Sequence, residues 1–127
     1  MSVSLHLNMK DSKGRLDMEE KMRNNQEVFI VKPDSTRIDA SFAVQFKNQM
    51  LDIIHSGKNT IILDLSEVDF IDSSGLGALV SSRKTLGSNG DIILCDVSER
   101  VLNIFKVTRM NKVFKIFESK EEALRDM

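Results

Sequence analysis

Two short apolar runs, residues 60–65 (TIILDL) and 92–95 (IILC), bracket a helix-like stretch at 76–86, and this spacing constrains the chain more than any other feature. Runs this short, apolar throughout and rich in β-branched residues, read as strands buried on both faces. A helix joining two such strands makes a βαβ crossover, which requires parallel strands and a right-handed connection. Gly87-Ser-Asn-Gly90 stops the helix before the second strand begins.

The flanking segments extend this unit in both directions. Val3, Leu5, Leu7 and Met9 alternate with Ser4, His6, Asn8 and Lys10 until residues 11–14 (DSKG) interrupt the pattern. A second alternation at Leu16, Met18, Glu20 and Met22 leads through the polar residues 23–26 (RNNQ) into 27–32 (EVFIVK). Period-two alternation predicts half-buried antiparallel strands and leaves open which of the first two is the edge. On this reading residues 1–26 are strands or an extension leading into a domain core at 27–127. Pro33 falls at the exit of the third strand, where a missing N–H does little harm. Phe42, Ala43, Phe46, Met50, Ile53 and Ile54 then recur at helical spacing up to Ser56-Gly57. Beyond the crossover, Ser98 and Glu99 open a helix with Val101, Leu102 and Phe105 facing inward, residues 113–117 (VFKIF) form a last strand, and a charged helix starts near Ser119. The fold class expected is α/β, a small sandwich of one mixed sheet with helices packed on it.

Composition removes several functions. The chain has 127 residues, 41% of them apolar, enough for one buried core without staples. Its 18 basic and 19 acidic residues nearly cancel, so nothing marks a nucleic-acid or anionic-membrane partner. The single cysteine, Cys95, lies in an apolar run and reads as a small core residue of an intracellular protein. His6 and His55 are far apart and no CxxC pair exists, so no metal is expected. Without an apolar run of membrane-spanning length or the apolar centre of a signal peptide, the expectation is a cytoplasmic chain with no direct membrane insertion.

Residues 68–86 (VDFIDSSGLGALVSSRKTL) open with an apolar stretch that reads as a strand and close with one that reads as a helix, and the connection between them carries more polar chemistry than a turn requires. In parallel sheets, partners are met at the carboxyl ends of strands, where loops enter helices. Asp72, Ser73 and Ser74 are all good N-caps, yet capping needs one residue and leaves a hydroxyl to spare at a helix end that favours negative charge. Gly75 and Gly77 keep the first turn free of bulk, so a partner backbone could approach closely. Leu76, between them, suits either the core or an exposed apolar contact. Asp39, in residues 36–41 (TRIDAS), stands at a second strand-to-helix boundary, as a cap with Ser41 or as a contact residue. If both loops share one end of the sheet, they form one face.

Catalytic readings are weaker. Gly75-x-Gly77 lacks the third glycine of a dinucleotide fingerprint, and no GxxxxGK[ST] loop is present, so no cofactor is expected. A serine nucleophile would need a preceding glycine and a histidine base, whereas Phe70-Ile-Asp72 precedes Ser73.

VDFIDSSGLGAL after the strand IILDLS resembles the signature of the STAS domain, specifically of bacterial anti-sigma factor antagonists. The likeness runs from Glu27 to about Leu124, with RIDA matching the polar loop before the first helix and SERVLNIFKVTRMNKVFKIF the third helix and last strand. It departs in lacking a glycine before Asp39 and in a longer stretch before Glu27. The resemblance implies a non-enzymatic protein-binding module with a phosphoacceptor at Ser73, flanked by Asp72, Ser74, Gly75 and Leu76 and joined by Asp39. It implies as partners an anti-sigma factor that is also a serine kinase of the GHKL ATPase type, and a PP2C-like phosphatase. Unphosphorylated antagonist would sequester the anti-sigma factor and release the sigma factor, and phosphorylation would block binding. STAS domains also serve as regulatory subunits of membrane transporters, including lipid ABC systems. Balanced charge and the DSSG loop favour the switch.

Overall fold

The computed structural model describes residues 2–3, 15–23 and 26–126. Strands β1 (Ser2–Val3), β2 (Arg15–Arg23), β3 (Gln26–Asp34), β5 (Thr60–Asp64), β7 (Asp91–Cys95) and β8 (Lys115–Phe117) form one mixed sheet in the order β1-β2-β3-β5-β7-β8. A separate two-stranded ladder joins β4 (Arg37–Ile38) to β6 (Phe70–Ile71). Among the described residues four α-helices complete the fold: α1 (Ala43–His55), α2 (Ser73–Leu86), α3 (Glu99–Val107) and α4 (Lys120–Arg125).

The crossover expected from the two apolar runs is present, with β5 and β7 adjacent and parallel and α2 between them in sequence. A second one precedes it, because β3 pairs in parallel with β5 across α1. Every residue of β5 is buried, as a strand covered on both faces must be. Alternate strand residues divide between two cores. Phe29, Val31, Ile61, Leu63, Ile92 and Leu94 pack with α1, α2 and α3, while Val28, Ile30, Ile62, Ile93 and Cys95 pack with Ala123 of α4.

At the amino end, the second alternation is the strand that pairs along β3, from Arg15 opposite Asp34 to Arg23 opposite Gln26. Leu16 and Met18 enter the main core, 1% and 7% exposed. The alternation at Leu5, Leu7 and Met9, and the DSKG interruption, lie outside the described residues. Pro33 is buried within β3 rather than past its end, opposite Leu16. The ladder between β3 and β5 covers only Phe29 to Val31, so a proline two residues further on removes no bond from it.

Two boundaries differ from expectation. Helix α2 starts at Ser73, not Leu76, because Asp72 takes the cap and pulls both serines into the first turn. The last strand starts at Lys115, not Val113. A 3-10 turn at Met110–Lys112 intervenes, leaving Val113 45% exposed while Phe114 turns inward against Phe105. Among the described residues, no helix is long and apolar enough to cross a membrane.

Candidate functional site

The β4–β6 ladder brings the two polar loops together. Arg37 stands opposite Phe70 and Ile38 opposite Ile71, and the carbonyl of Thr36 accepts from the Asp69 N–H at 2.8 Å. One residue past β6, the Asp72 N–H donates to the Ile38 carbonyl at 3.3 Å. The loops after β4 and β6 therefore form one face, as their shared place at strand ends suggested.

Asp72 secures that face with both side-chain oxygens. Oδ1 accepts from the Gly75 N–H at 3.0 Å, capping α2, and Oδ2 accepts from the Ala40 N–H at 3.2 Å, across to the other loop. The capping task is thus complete without either serine. Ser73 and Ser74 are both exposed, and neither hydroxyl is hydrogen-bonded among the described residues. The N–H groups of Ser73 and Ser74 belong to the first turn, where no intrahelical acceptor exists. A hydroxyl here borders free donors and the positive end of the helix dipole.

Asp39 organises its own loop. Its Oδ1 accepts from the Ser41 hydroxyl at 2.7 Å and the Ser41 N–H at 3.1 Å, and its Oδ2 pairs with Arg37 Nε at 3.1 Å. The Ser41 hydroxyl first and the Arg37 guanidinium second hold the Asp39 carboxyl below the usual carboxylate range. Its carbonyl receives the Phe42 and Ala43 N–H groups at 3.0 and 2.8 Å. The side chain thus braces the entry into α1, whose N-cap residue Phe42 makes no side-chain hydrogen bond to the helix. Arg37, not singled out in the sequence, also stacks its guanidinium 4.3 Å from the centre of the Phe70 ring.

The two glycines of the motif have different tasks. A Cβ on Gly75 would stand 2.1 Å from the Ile38 carbonyl oxygen, so the close passage of α2 over β4 demands glycine. A Cβ on Gly77 would meet nothing, and that position is exposed. Leu76, which spacing left undecided, is half-buried against the main core. Beside Ser74 and Gly77 a shallow depression of about 280 Å³ opens towards α1, bounded there by Val44 and Lys47. Val44 is 69% exposed, an apolar residue off the buried stripe of its helix. The sequence signal for it was its failure to match the spacing of Phe42, Phe46, Met50 and Ile53.

Comparison with known proteins adds to this geometry. The sequence matches the STAS domain family over residues 20–123. It is 32% identical over 104 residues to a Thermotoga neapolitana protein named as an anti-sigma factor antagonist, covering 80% of this chain and 91% of that one. The crystal structure of a Thermotoga maritima protein named as an anti-sigma factor antagonist superimposes with a TM-score of 0.72 at 27% identity, over 86% of this chain and 92% of that one. The phosphorylated form of the Bacillus cell fate determinant SpoIIAA shares the fold, with a TM-score of 0.62 at 22% identity over 89% of this chain and 97% of that one. A βαβ core with the DSSG loop at the start of α2, matched along most of its length, makes this chain a member of the STAS domain family.

Proposed function

We propose that this protein is an anti-sigma factor antagonist that binds its anti-sigma factor through the face carrying Asp39, Asp72, Ser73, Ser74, Gly75 and Leu76, and that phosphorylation of Ser73 blocks this binding. The observation that carries the reading is the division of labour at the start of α2. Asp72 alone caps the helix and bridges to Ala40, which leaves the exposed Ser73 hydroxyl with no structural duty. The names of the relatives support the antagonist role, and the phosphorylated form of SpoIIAA supports modification of a protein of this fold. On this reading the anti-sigma factor is a serine kinase of the GHKL type, a PP2C-like phosphatase resets the cycle, and the chain itself performs no catalysis.

A phosphoserine adds roughly −1.5 to −2 charge and three acceptor oxygens. Within the monomer the helix terminus favours that charge while the Asp72 carboxylate opposes it, so the fold tolerates the modification. At a packed interface the dianion must be dehydrated, and an unpaired buried charge costs several kcal/mol, with each 1.4 kcal/mol worth tenfold in affinity.

The test is to incubate the chain with its cognate anti-sigma kinase and ATP, map the modified peptide, and measure binding of each form by calorimetry. Ser73 should carry the phosphate, Ser73→Ala should bind and stay bound, and the phosphorylated chain should keep its circular dichroism while binding at least tenfold more weakly. Modification at Ser74, or equal binding by the phosphorylated form, would sink the proposal.

A further inference from the structure

A groove of about 800 Å³ lies against β8 on the α3 side of the sheet, with Arg83 of α2 and Asp91 of β7 also lining it. Val97, Leu102, Phe114 and Ile116 supply its apolar floor. Lys106, Lys112 and Lys115 stand exposed along it, and among the described residues none of the three forms an ion pair. The other charges there nearly balance. Arg83 is neutralised by Asp91 at 3.4 Å, and Glu118 is the remaining acid. Strand β8 ends the sheet, pairing only with β7 among the described residues, so one row of its backbone N–H and C=O groups faces outward beside the lysines.

From this juxtaposition we infer that the groove is a second docking site, for an extended acidic segment of a partner protein that adds to the sheet along β8. Main-chain bonds to the open edge would supply affinity, alternate apolar side chains would rest on Leu102, Phe114 and Ile116, and carboxylates would meet the three lysines. Charge selects this occupant. A second copy of this chain would bring its own β8 lysines onto these ones, the arrangement by which edge strands avoid self-pairing. Single-stranded nucleic acid would need a row of exposed rings to stack on, whereas the chain has no Trp or Tyr, Phe114 is 3% exposed and Phe117 is half-buried against the second core. The groove is also separate from the Ser73 face: Arg83 lies ten residues along α2 from Ser73, about 15 Å at helical rise.

The experiment uses the full chain, ¹⁵N-labelled, titrated with an octapeptide of alternating Glu and Val and with its Lys–Val counterpart. Only the acidic peptide should bind, saturably and more weakly at high salt, shifting amides between 102 and 118. The triple variant Lys106→Glu, Lys112→Glu, Lys115→Glu should keep its circular dichroism and lose at least tenfold in affinity; should it not fold, Lys115→Gln alone should still weaken binding severalfold. Ser73→Asp should bind the peptide like the wild type, so the outcome is independent of the phosphorylation switch. Absence of saturable shifts, shifts mapping elsewhere, or undiminished binding by the folded charge variants would overturn the inference. Shifts of these amides by dodecanoate but not by the peptide would reassign the groove to a small amphiphile, and concentration-dependent self-association through β8 would reassign it to a second copy.

Discussion

Asp72 Oδ2 accepts from the Ala40 backbone N–H at 3.2 Å, so a single carboxylate both caps α2 and fastens its first turn to the loop that enters α1. Both oxygens face N–H donors. Asparagine offers only one acceptor and turns an NH₂ group towards the other donor, while alanine offers none. Loss of an N-cap costs about 1 kcal/mol, up to 2. Asp72→Ala should therefore lower the melting temperature by roughly 4 °C or more, and Asp72→Asn by less. Thermal melts of the three proteins check the order; an unchanged Asp72→Ala would mean that the bridge carries no weight.

Gly75 and Gly77 should respond oppositely to alanine. At Gly75 the new methyl would meet the Ile38 carbonyl at 2.1 Å, forcing β4 and α2 apart, a type of overpacking that costs about 1–3 kcal/mol. At Gly77 the helix has room, and replacing an interior glycine by alanine gains up to about 1 kcal/mol. Gly75→Ala should melt lower and Gly77→Ala higher than wild type. If the Ser73 face docks a partner closely, Gly77→Ala should pair its added stability with weaker binding, which calorimetry would register.

The glycines also mark where sequence reading stopped. Residues 60–65 and 92–95 announced their strands because burial on both faces leaves an apolar signature that no neighbour can alter. The stripe from Phe42 to Ile53 announced α1 for a similar reason. Phe70 and Ile71 fall in the apolar stretch after Val68 that reads as a strand, whereas Arg37 and Ile38 announced nothing, because a two-residue strand has no period to detect, yet the ladder they form joins the two loops. Gly75 and Gly77 look alike in the chain, and only the passage of the Ile38 carbonyl separates them. The start of β8 was misplaced because Val113 and Phe114 continue the apolar pattern of the strand, while the 3-10 turn before them sets their directions. Asp39 and Asp72 were legible as caps, but the bond from the Ala40 N–H to Asp72 joins residues far apart in sequence.

Acid should loosen the β2–β3 hairpin through Lys58. Its Nζ lies 2.7 Å from Glu20 and 3.1 Å from Glu27 and 4.9 Å from the centre of the Phe29 ring. The hydrogen bond from Lys58 holds the Glu20 carboxyl below its ordinary value, and the bond to Glu20 holds the Lys58 amine above its own. A depressed carboxyl contributes stability that is present above its unfolded pKa and is lost as pH falls through the folded one. A raised amine contributes below its unfolded pKa and loses that contribution as pH rises through the folded one. The cluster therefore works between the ordinary glutamate and lysine values, about 4.3 and 10.4. Wild type should lose more stability than Lys58→Met on passing from pH 6 to pH 3, and the difference should shrink in high salt because the groups are only partly buried. Denaturation at several pH values tests this; parallel curves would remove the cluster from the stability account.

Cys95 should be inert in the native chain. It is 0% exposed at the end of β7, packed with Val28, Ile62 and Ala123. Burial, then the nearby Asp64 and Asp96 carboxylates, push its thiol well above the ordinary range, which suppresses the thiolate that thiol reagents attack. Labelling must then wait for α4 to lift. That helix is short and held at its start by the Ser119 hydroxyl, which accepts from the Glu122 N–H at 3.1 Å, and by Asp96 Oδ2, which accepts from the Lys120 N–H at 3.1 Å. Ser119→Ala removes the cap, so it should speed native labelling severalfold, and the labelling rate should barely change in low denaturant, the pattern expected of local opening that exposes little surface. A thiol-reactive dye followed with and without denaturant gives both rates. Fast native labelling would mean that α4 does not shield the strand, and a labelling rate that climbs steeply with low denaturant would mean that the thiol is reached only through global unfolding.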